Sequence, residues 1–165
     1  MKRKRRAAPP GEFHDPLSNY EEPQFDDNLE RSLLQDVISE VMTYQPYKTI
    51  ADHATVEQAM QMMAELEIAC VMVTHDDKLV GVFSERDVIN KVSENFRAVK
   101  DKPISEFMTP DPIVVHESDC PAKAINQMAI GGFRHIPVLT VDERIAGMLG
   151  PQRVVKYVEK FLHES

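Results

Sequence analysis

A hydroxyl and a carboxylate stand three residues apart in the run 81–87, Gly-Val-Phe-Ser-Glu-Arg-Asp, at Ser84 and Asp87. The run lies where an apolar strand is predicted to pass into a helix. Ser84 would therefore stand at the helix start, beside backbone N–H groups that favour a phosphate. Asp87 would lie one turn further on, where its carboxylate can accept hydrogen bonds from both hydroxyls of a ribose.

The same two residues also fit ordinary helix capping. A serine at the helix start and an acidic residue three positions later can satisfy the free N–H groups of the first turn without any ligand. The local pattern alone favours capping over ligand binding, and both interpretations stay open on these residues. Glycine at position 81 would allow another part of the backbone to approach closely.

No catalytic or metal-binding set stands out elsewhere in the sequence. The serines and cysteines have no neighbouring base in a recognisable signature, and the six histidines show no ligand spacing. The abundant methionines at helical spacing are typical of core or interface positions. The sequence therefore predicts no enzyme activity, no catalytic residue and no metal site.

The elements that must position the run 81–87 occur twice. The hexapeptide 38–43, Ile-Ser-Glu-Val-Met-Thr, recurs at 104–109 as Ile-Ser-Glu-Phe-Met-Thr. After each copy come a short β-branched segment, an amphipathic helix, two apolar strands joined by an acidic turn, and a closing helix. Each copy therefore predicts a β-α-β-β-α unit, with a one-residue slip between copies. One such unit leaves apolar surface exposed, and pairing the copies would bury it.

Composition indicates one mixed domain behind a basic arm. Hydrophobic residues make up 42% and charged residues 28% of the 165 positions, which suffices for one packed core. Residues 1–26 are predicted to be a flexible, basic, proline-containing arm and 27–43 a helix. The two repeats would occupy 44–97 and 98–165, as one domain over about 38–162. The fold class predicted is α/β (α+β).

The net charge of −8 is unevenly distributed, because five basic residues stand together at positions 2–6. The acidic remainder would repel nucleic acid and anionic lipid, so contact with either would have to come from the arm. The sequence contains no apolar run of the roughly 20 residues that span a membrane, and no apolar stretch typical of a secretory signal. Two cysteines without CxxC spacing indicate reduced thiols, so a cytoplasmic protein is expected.

The double repeat, its two openings, the run 81–87 and the run 134–138, Arg-His-Ile-Pro-Val, together resemble a pair of cystathionine-β-synthase (CBS) domains, or Bateman module. The resemblance covers about residues 38–162. It implies two β-α-β-β-α motifs packed as a pseudo-twofold pair, acting as a regulatory sensor in trans. It also implies an adenosine-containing ligand: AMP, ADP, ATP, NAD or S-adenosylmethionine. No cofactor is required, and the presence of Mg²⁺ with the ligand stays open.

In that family the serine or threonine and the aspartate of the glycine-led motif bind phosphate and ribose, and each site is built across the pair. Carried onto this sequence, the resemblance implies the ligand-binding residues Val82, Ser84, Asp87, Ile113, Phe133, Arg134 and His135. Phe133 would flank a purine, while Arg134 or His135 would approach a phosphate. Arg86 could serve the phosphate too, although an exposed helical arginine is the simpler interpretation.

The second copy departs from this pattern in the run 147–153, Gly-Met-Leu-Gly-Pro-Gln-Arg. Gly150 replaces the serine and offers no hydroxyl, and Arg153 replaces the aspartate and cannot accept from a ribose. On the opposite wall, the residues taken as counterparts of the second-copy Arg-His pair are Ile68 and Ala69, which are apolar. We therefore expect one occupied site per chain, with the second half-site empty or bound differently.

The resemblance also implies a homodimer formed through helices. Val154, Val158 and Phe161 in the closing helix are expected to form an exposed apolar face for it. The sequence does not identify the regulated protein partner. Two other functions stay open: a structural dimerisation adaptor without a ligand, and a nucleic-acid-associated factor that acts through residues 2–6.

Overall fold

The computed structural model describes residues 24–25, 27–42 and 47–162. It divides the helix predicted over 27–43 into α1 (Asn28–Gln35) and α2 (Ile38–Val41). The prediction of one continuous helix is wrong because α2 is held by the second repeat: the Ile38 N–H donates to the Asp119 carbonyl at 2.8 Å. The predicted basic arm lies outside the described residues, apart from residues 24 and 25.

The first repeat forms a β-α-β-β-α unit, as predicted. Its elements are β1 (Thr49–Ala51), α3 (Val56–Glu65), β2 (Cys70–His75), β3 (Lys78–Ser84), α4 (Glu85–Asp87) and α5 (Phe96–Val99). β1 is parallel to β2, and β2 and β3 form an antiparallel hairpin. α3 begins with a capping box between Thr55 and Gln58. Between α4 and α5 the chain winds through a π-helical turn, Val88–Val92, and a 3-10 turn, Ser93–Asn95.

The second repeat has the same order of elements. They are a 3-10 turn (Ile104–Glu106), β4 (Thr109–Pro110), β5 (Val115–His116), α6 (Pro121–Gly131), β6 (Ile136–Leu139), β7 (Ile145–Leu149) and α7 (Pro151–Glu159). β5 is parallel to β6, and β6 pairs antiparallel with β7. Proline at the first position of α6 fits the helix start, and Gly132 ends the helix with a left-handed φ of 64°. The predicted α/β fold class is confirmed.

The opening segment of each repeat packs with the other repeat, which repeat analysis alone did not predict. β4 pairs with β3 and completes a sheet in the order β1-β2-β3-β4. A Cβ atom at Gly81 would lie 2.3 Å from Met108 Sδ, and one at Gly147 would lie 2.4 Å from Met42 Cε. The close approach predicted at Gly81 is therefore made by a methionine side chain, and the same contact recurs in the second repeat.

Each repeat builds its own core around its sheet. The buried residues of the first core are Ile50, Val56, Ala59, Met63, Val71, Val73, Phe83, Val92 and Ile104. Those of the second are Ile38, Val41, Val115, Ala124, Ile136, Val138, Leu149 and Tyr157. Ile104 opens the second repeat but is fully buried in the first core, and Ile38 is fully buried in the second. Full burial of such a side chain contributes roughly 1.5–3 kcal/mol, so this exchange ties the repeats together.

The apolar face that α7 exposes differs from the predicted one. Val154 and Phe161 pack against the second core and Val158 is half-buried, so the prediction that these three form an exposed face is wrong. α7 and the turn after it, which carries Phe161, place that stripe inward, at the helical spacing that puts residues on one face. Val155 and Leu162 are exposed instead, each at 66%. Within the described residues, no helix has the length and apolar character needed to cross a membrane.

Candidate functional site

A cavity of about 400 Å³ opens between the two repeats. Its walls are the end of β3 with the start of α4, the segment after β4, and the loop from α6 to β6. All seven predicted site residues line it: Val82, Ser84, Asp87, Ile113, Phe133, Arg134 and His135. It is also lined by Ala69, Cys70, Glu85, Arg86, Thr109, Asp111, Pro112 and Gly131. Its volume lies in the range of small-molecule pockets, roughly 300–1,000 Å³.

Asp87 is the polar centre of the wall and is only 5% exposed. Its Oδ2 atom accepts hydrogen bonds from the Ser84 backbone N–H at 3.0 Å and the Ser84 hydroxyl at 2.7 Å. Its Oδ1 atom accepts from the Thr109 hydroxyl at 3.1 Å and lies 2.7 Å from the Lys91 ammonium. A carboxylate has about four lone-pair positions, so these four donors fill them.

The Asp87 carboxyl is held in its charged form by these donors. Burial by itself would raise the pKa of Asp87, but the hydrogen bonds from Lys91 and Ser84 outweigh burial and lower the pKa below the ordinary value. Lys91 is in turn fixed by the carbonyls of Phe107 and Met108, at 2.9 and 3.1 Å. This network joins the helical turn after β3 to the segment that opens the second repeat.

Ser84 and Asp87 take part in the capping that the sequence left open as an alternative. The expectation that the N–H groups of the first turn are free for a phosphate is wrong for Glu85, whose N–H donates to the Ala69 carbonyl at 3.0 Å. α4 is only three residues long. The groups at this wall that can change partners are therefore the hydroxyls of Ser84 and Thr109, because an O–H rotates freely about its C–O bond.

Two arginines reach across the cavity from one repeat to the other. Arg86 Nη2 donates to the Gly132 carbonyl at 2.7 Å, so Arg86 is exposed, as expected, and also bonded. Arg134 Nη2 lies 3.7 Å from Glu85 Oε2, with most of its side chain in solvent. An exposed pair at this separation contributes little to stability. The pair nevertheless places the Arg134 guanidinium and the Glu85 carboxylate together at the mouth of the cavity.

His135 lies between the cavity and the second motif. Burial, with a smaller contribution from the Arg134 charge, lowers the pKa of His135, so the ring is neutral at pH 7. A Cβ atom at Gly150 would lie 2.8 Å from His135 Cδ2. The imidazole ring therefore occupies the space that a side chain at position 150 would take. A serine at that position would displace the ring.

The strand register corrects one assignment made from the sequence. The pairs Val71 with Phe83 and Ile136 with Leu149 occupy equivalent places in the two hairpins. One residue before these pairs, His135 is the counterpart of Cys70. Two residues before them, Arg134 is the counterpart of Ala69. The earlier choice of Ile68 and Ala69 is wrong by one position because the second hairpin has one more residue in its turn. Burial raises the pKa of the Cys70 thiol to about 12.

Arg153 occupies in the second motif the place that Asp87 occupies in the first. Its Nη1 atom is buried without a hydrogen-bond partner, and burial lowers the pKa of its guanidinium. A buried donor cannot accept from a hydroxyl, so this half-site lacks the ribose-accepting chemistry of Asp87. Within the part of the chain that the structure describes, no group of three or more His, Cys, Asp or Glu side chains is arranged to hold a metal ion.

Sequence reasoning missed Thr109, which bonds the buried carboxylate of Asp87 from the other repeat. A signal for it existed, since Thr109 ends the recurring hexapeptide at the position that Thr43 takes in the first copy. It also missed Glu85 and Asp111, two carboxylates at the cavity wall. No pattern in the sequence distinguished these two from other exposed acidic residues.

Comparison with known proteins gives two matches to a single family model, the CBS domain, at residues 38–94 and 104–160. The chain belongs to the CBS-domain family. Each CBS match begins at the isoleucine of a hexapeptide, so the family unit includes the segment that packs with the other repeat. The predicted resemblance is thereby confirmed.

Relatives share the CBS fold over most of the described chain. The CBS domain-containing protein CBSCBSPB5 of Arabidopsis thaliana is 30% identical over 99 residues, 59% of this chain but only 18% of that protein. The crystal structure of the CBS domain NE2398 has a TM-score of 0.69 and 28% identity, covering 75% of this chain and 98% of that one. The crystal structure of CBSX2 in complex with AMP has a TM-score of 0.66 and 25% identity, covering 76% and 97%.

Proposed function

We propose that this chain is a cytoplasmic regulatory sensor that binds an adenosine-containing ligand in the cavity between its CBS motifs and signals to a protein partner. One observation supports this most directly: the seven residues inferred from the family resemblance line a single cavity. A similar protein, CBSX2, was crystallised with AMP. The proposed ligand class comprises AMP, ADP, ATP, NAD and S-adenosylmethionine.

Ligand binding would exchange donors on Asp87. The two ribose hydroxyls replace the hydroxyls of Ser84 and Thr109 as donors to the carboxylate, while the Ser84 N–H and Lys91 keep their bonds. The released Ser84 hydroxyl can then donate to the phosphate, which Arg134 approaches from the opposite wall. Such an exchange keeps the buried carboxylate satisfied throughout, which matters because an unpaired buried charge is costly.

The base would lie against the apolar part of the cavity. Phe133 offers a ring face to the purine, and Val82 and Ile113 offer aliphatic contacts beside it. Because Thr109 lies in β4, loss of its bond to Asp87 on binding would loosen one tie between the sheet of the first repeat and the opening of the second. We propose this change as the origin of the signal.

We propose that the chain performs no turnover and needs no metal. The affinity for AMP should change less than threefold on addition of Mg²⁺. ATP should release no phosphate at a protein-dependent rate. Malachite-green assay of released phosphate checks the second point. Phosphate release that Asp87→Ala abolishes would contradict the assignment as a sensor and indicate an active site.

We also propose a homodimer, supported by the exposed apolar side chains of Ile89, Val155 and Leu162. Light scattering at micromolar concentration should give twice the mass of 18.8 kDa. Val155→Lys should shift the protein towards the monomer mass, because a charge at this position would oppose its burial in an interface. A monomer mass for the wild type would contradict the dimer.

Calorimetric titration of Asp87→Asn against a matched variant, Arg153→Gln, tests ligand binding. Asp87→Asn weakens two charge-assisted hydrogen bonds to ribose, each contributing roughly 1.5–3 kcal/mol, part of which water recovers. We expect a 10- to 1,000-fold loss of AMP affinity, at about 1.4 kcal/mol per tenfold. Arg153→Gln should bind within a few-fold of wild type.

The same titration distinguishes the alternatives. If Arg153→Gln abolishes binding while Asp87→Asn binds like wild type, the second motif carries the site. If the wild type binds none of AMP, ADP, ATP, NAD and S-adenosylmethionine, the capping role of Ser84 and Asp87 is sufficient and the chain is a structural adaptor. The nucleic-acid alternative depends on residues 2–6, which lie outside the described residues, and salt-dependent binding lost on their deletion would support it.

A further inference from the structure

We propose that the cavity selects an adenosine ligand with a single phosphate over those with two or three, and that Glu85 is the residue that sets this preference. The inference rests on the proposed function and narrows its ligand class. It follows from the charges that line the cavity and from the bonds that already engage them.

The charged groups at the cavity wall leave no excess of positive charge for a long polyphosphate chain. The acidic residues of the wall are Glu85, Asp87 and Asp111, and its arginines are Arg86 and Arg134. With the neutral His135 ring, three carboxylates face two guanidinium groups and the Lys91 ammonium, which is paired with Asp87, so the net charge is zero. The second and third phosphates of a longer ligand would therefore add negative charge beside Glu85 with no second free guanidinium to offset it.

Two of the positive groups at or beside the wall are already engaged. Arg86 is bonded to the Gly132 carbonyl at 2.7 Å, and Lys91 lies 2.7 Å from Asp87. Among the described residues at the wall, only Arg134 can reach a phosphate at little cost, because its contact with Glu85 is long, 3.7 Å, and exposed. One guanidinium and one hydroxyl, that of Ser84, match a single phosphate group.

Glu85 stands where further phosphates would extend. It directly follows Ser84, and its side chain faces Arg134 across the mouth. Its backbone is held by the N–H bond to the Ala69 carbonyl, which anchors the side chain at the mouth of the cavity. An added phosphate charge about 7 Å from the Glu85 carboxylate, in a partly exposed site, should weaken binding about 3- to 10-fold, and a second one farther away about 2- to 3-fold.

Calorimetric titration with adenosine, AMP, ADP and ATP at pH 8 in EDTA tests the proposal, because metal ions would otherwise mask the phosphate charges. We expect the wild type to bind AMP more tightly than ADP and ADP more tightly than ATP. Glu85→Gln removes the repelling charge and frees Arg134. It should raise the ratio of ATP to AMP affinity by about 5- to 30-fold.

Glu94→Gln is the matched control. It makes the same charge change at an exposed residue of the turn Ser93–Asn95, which does not line the cavity. The ratio of ATP to AMP affinity should stay within twofold of wild type in this variant. A rise equal to that of Glu85→Gln would show a general charge effect and overturn the assignment to Glu85.

Two further results would refute the proposal while leaving the proposed function intact. One is tighter binding of ATP than of AMP by the wild type. The other is an unchanged affinity ratio in Glu85→Gln although adenosine and AMP still bind. If the wild type binds none of AMP, ADP, ATP, NAD and S-adenosylmethionine, the proposed function itself fails, and the proposed selectivity fails with it. If it binds NAD or S-adenosylmethionine but not AMP, only the selectivity is refuted.

Discussion

Replacing Asp87 by asparagine should destabilise the ligand-free chain, because the carboxylate is the acceptor for four donors. Asparagine keeps one carbonyl oxygen but places an NH₂ group where Oδ2 now accepts from Ser84. The Ser84 N–H loses its acceptor, which costs about 1–3 kcal/mol for a buried group. Lys91 loses its ion pair but is 39% exposed and can be hydrated, so this loss is nearer 1 kcal/mol.

The free energy of unfolding should therefore fall by about 2–4 kcal/mol in Asp87→Asn. This is larger than the cost of about 1 kcal/mol for weakening an ordinary helix cap. Arg153→Gln is the control at the same place in the second motif. Its Nη1 atom has no partner to lose, so its free energy of unfolding should lie within about 0.5 kcal/mol of wild type or above it. Urea denaturation at pH 7 without ligand measures both.

The pH dependence gives a second test with a definite sign. The pKa of Asp87 is lower in the folded chain than its ordinary value of 3.8, so its contribution to stability is fully present above pH 3.8. That contribution is lost as the pH falls below 3.8 and through the folded pKa. The stability difference between wild type and Asp87→Asn should shrink over that range. Equal stability of the two proteins at pH 7 would refute the four-donor network.

Three further predictions concern packing, a buried hydrogen bond and a thiol. Gly81→Ala should lower the free energy of unfolding by about 1–3 kcal/mol, because its Cβ would force Met108 to move; an unchanged urea midpoint would contradict this contact. Tyr157→Phe removes the donor to Asp36 at 2.5 Å and should cost about 1 kcal/mol, seen as faster amide hydrogen exchange in α1. Cys70, whose pKa burial raises to about 12, should react with iodoacetamide at pH 8 at least about tenfold more slowly than in the urea-unfolded chain.

The repeat and the periodic patterns within it predicted the fold class, since the main helices and strands of each repeat follow from local apolar spacing. The family resemblance predicted seven residues that line one cavity in the structure. Their role in binding stays a prediction. The asymmetry between Asp87 and Arg153 was also visible in the sequence, because it depends on residue types alone.

Tertiary contacts decided what local patterns could not. The break between α1 and α2 follows from backbone bonds to the second repeat, such as that of Ile38 to Asp119. Likewise, Met108 lies against Gly81 and Met42 against Gly147, so each methionine packs with the glycine of the other repeat. By local sequence pattern alone, the opening segment of a repeat could pack against its own repeat or against the other one. Only the packed pair, with both cores closed, distinguishes the two arrangements.

The candidate site also has some properties that follow from residue types and others that follow from packing. Spacing placed Ser84 and Asp87 at a helix start, but burial and the reach of Thr109 from the other repeat determine which donors Asp87 holds. The pairing of β6 with β7 places His135 against Gly150, where its ring fills the place of a side chain. Residue types therefore fixed the chemistry that each motif can perform. The three-dimensional packing fixed which groups are engaged, because hydrogen bonds and steric exclusion depend on distances between segments far apart in the chain.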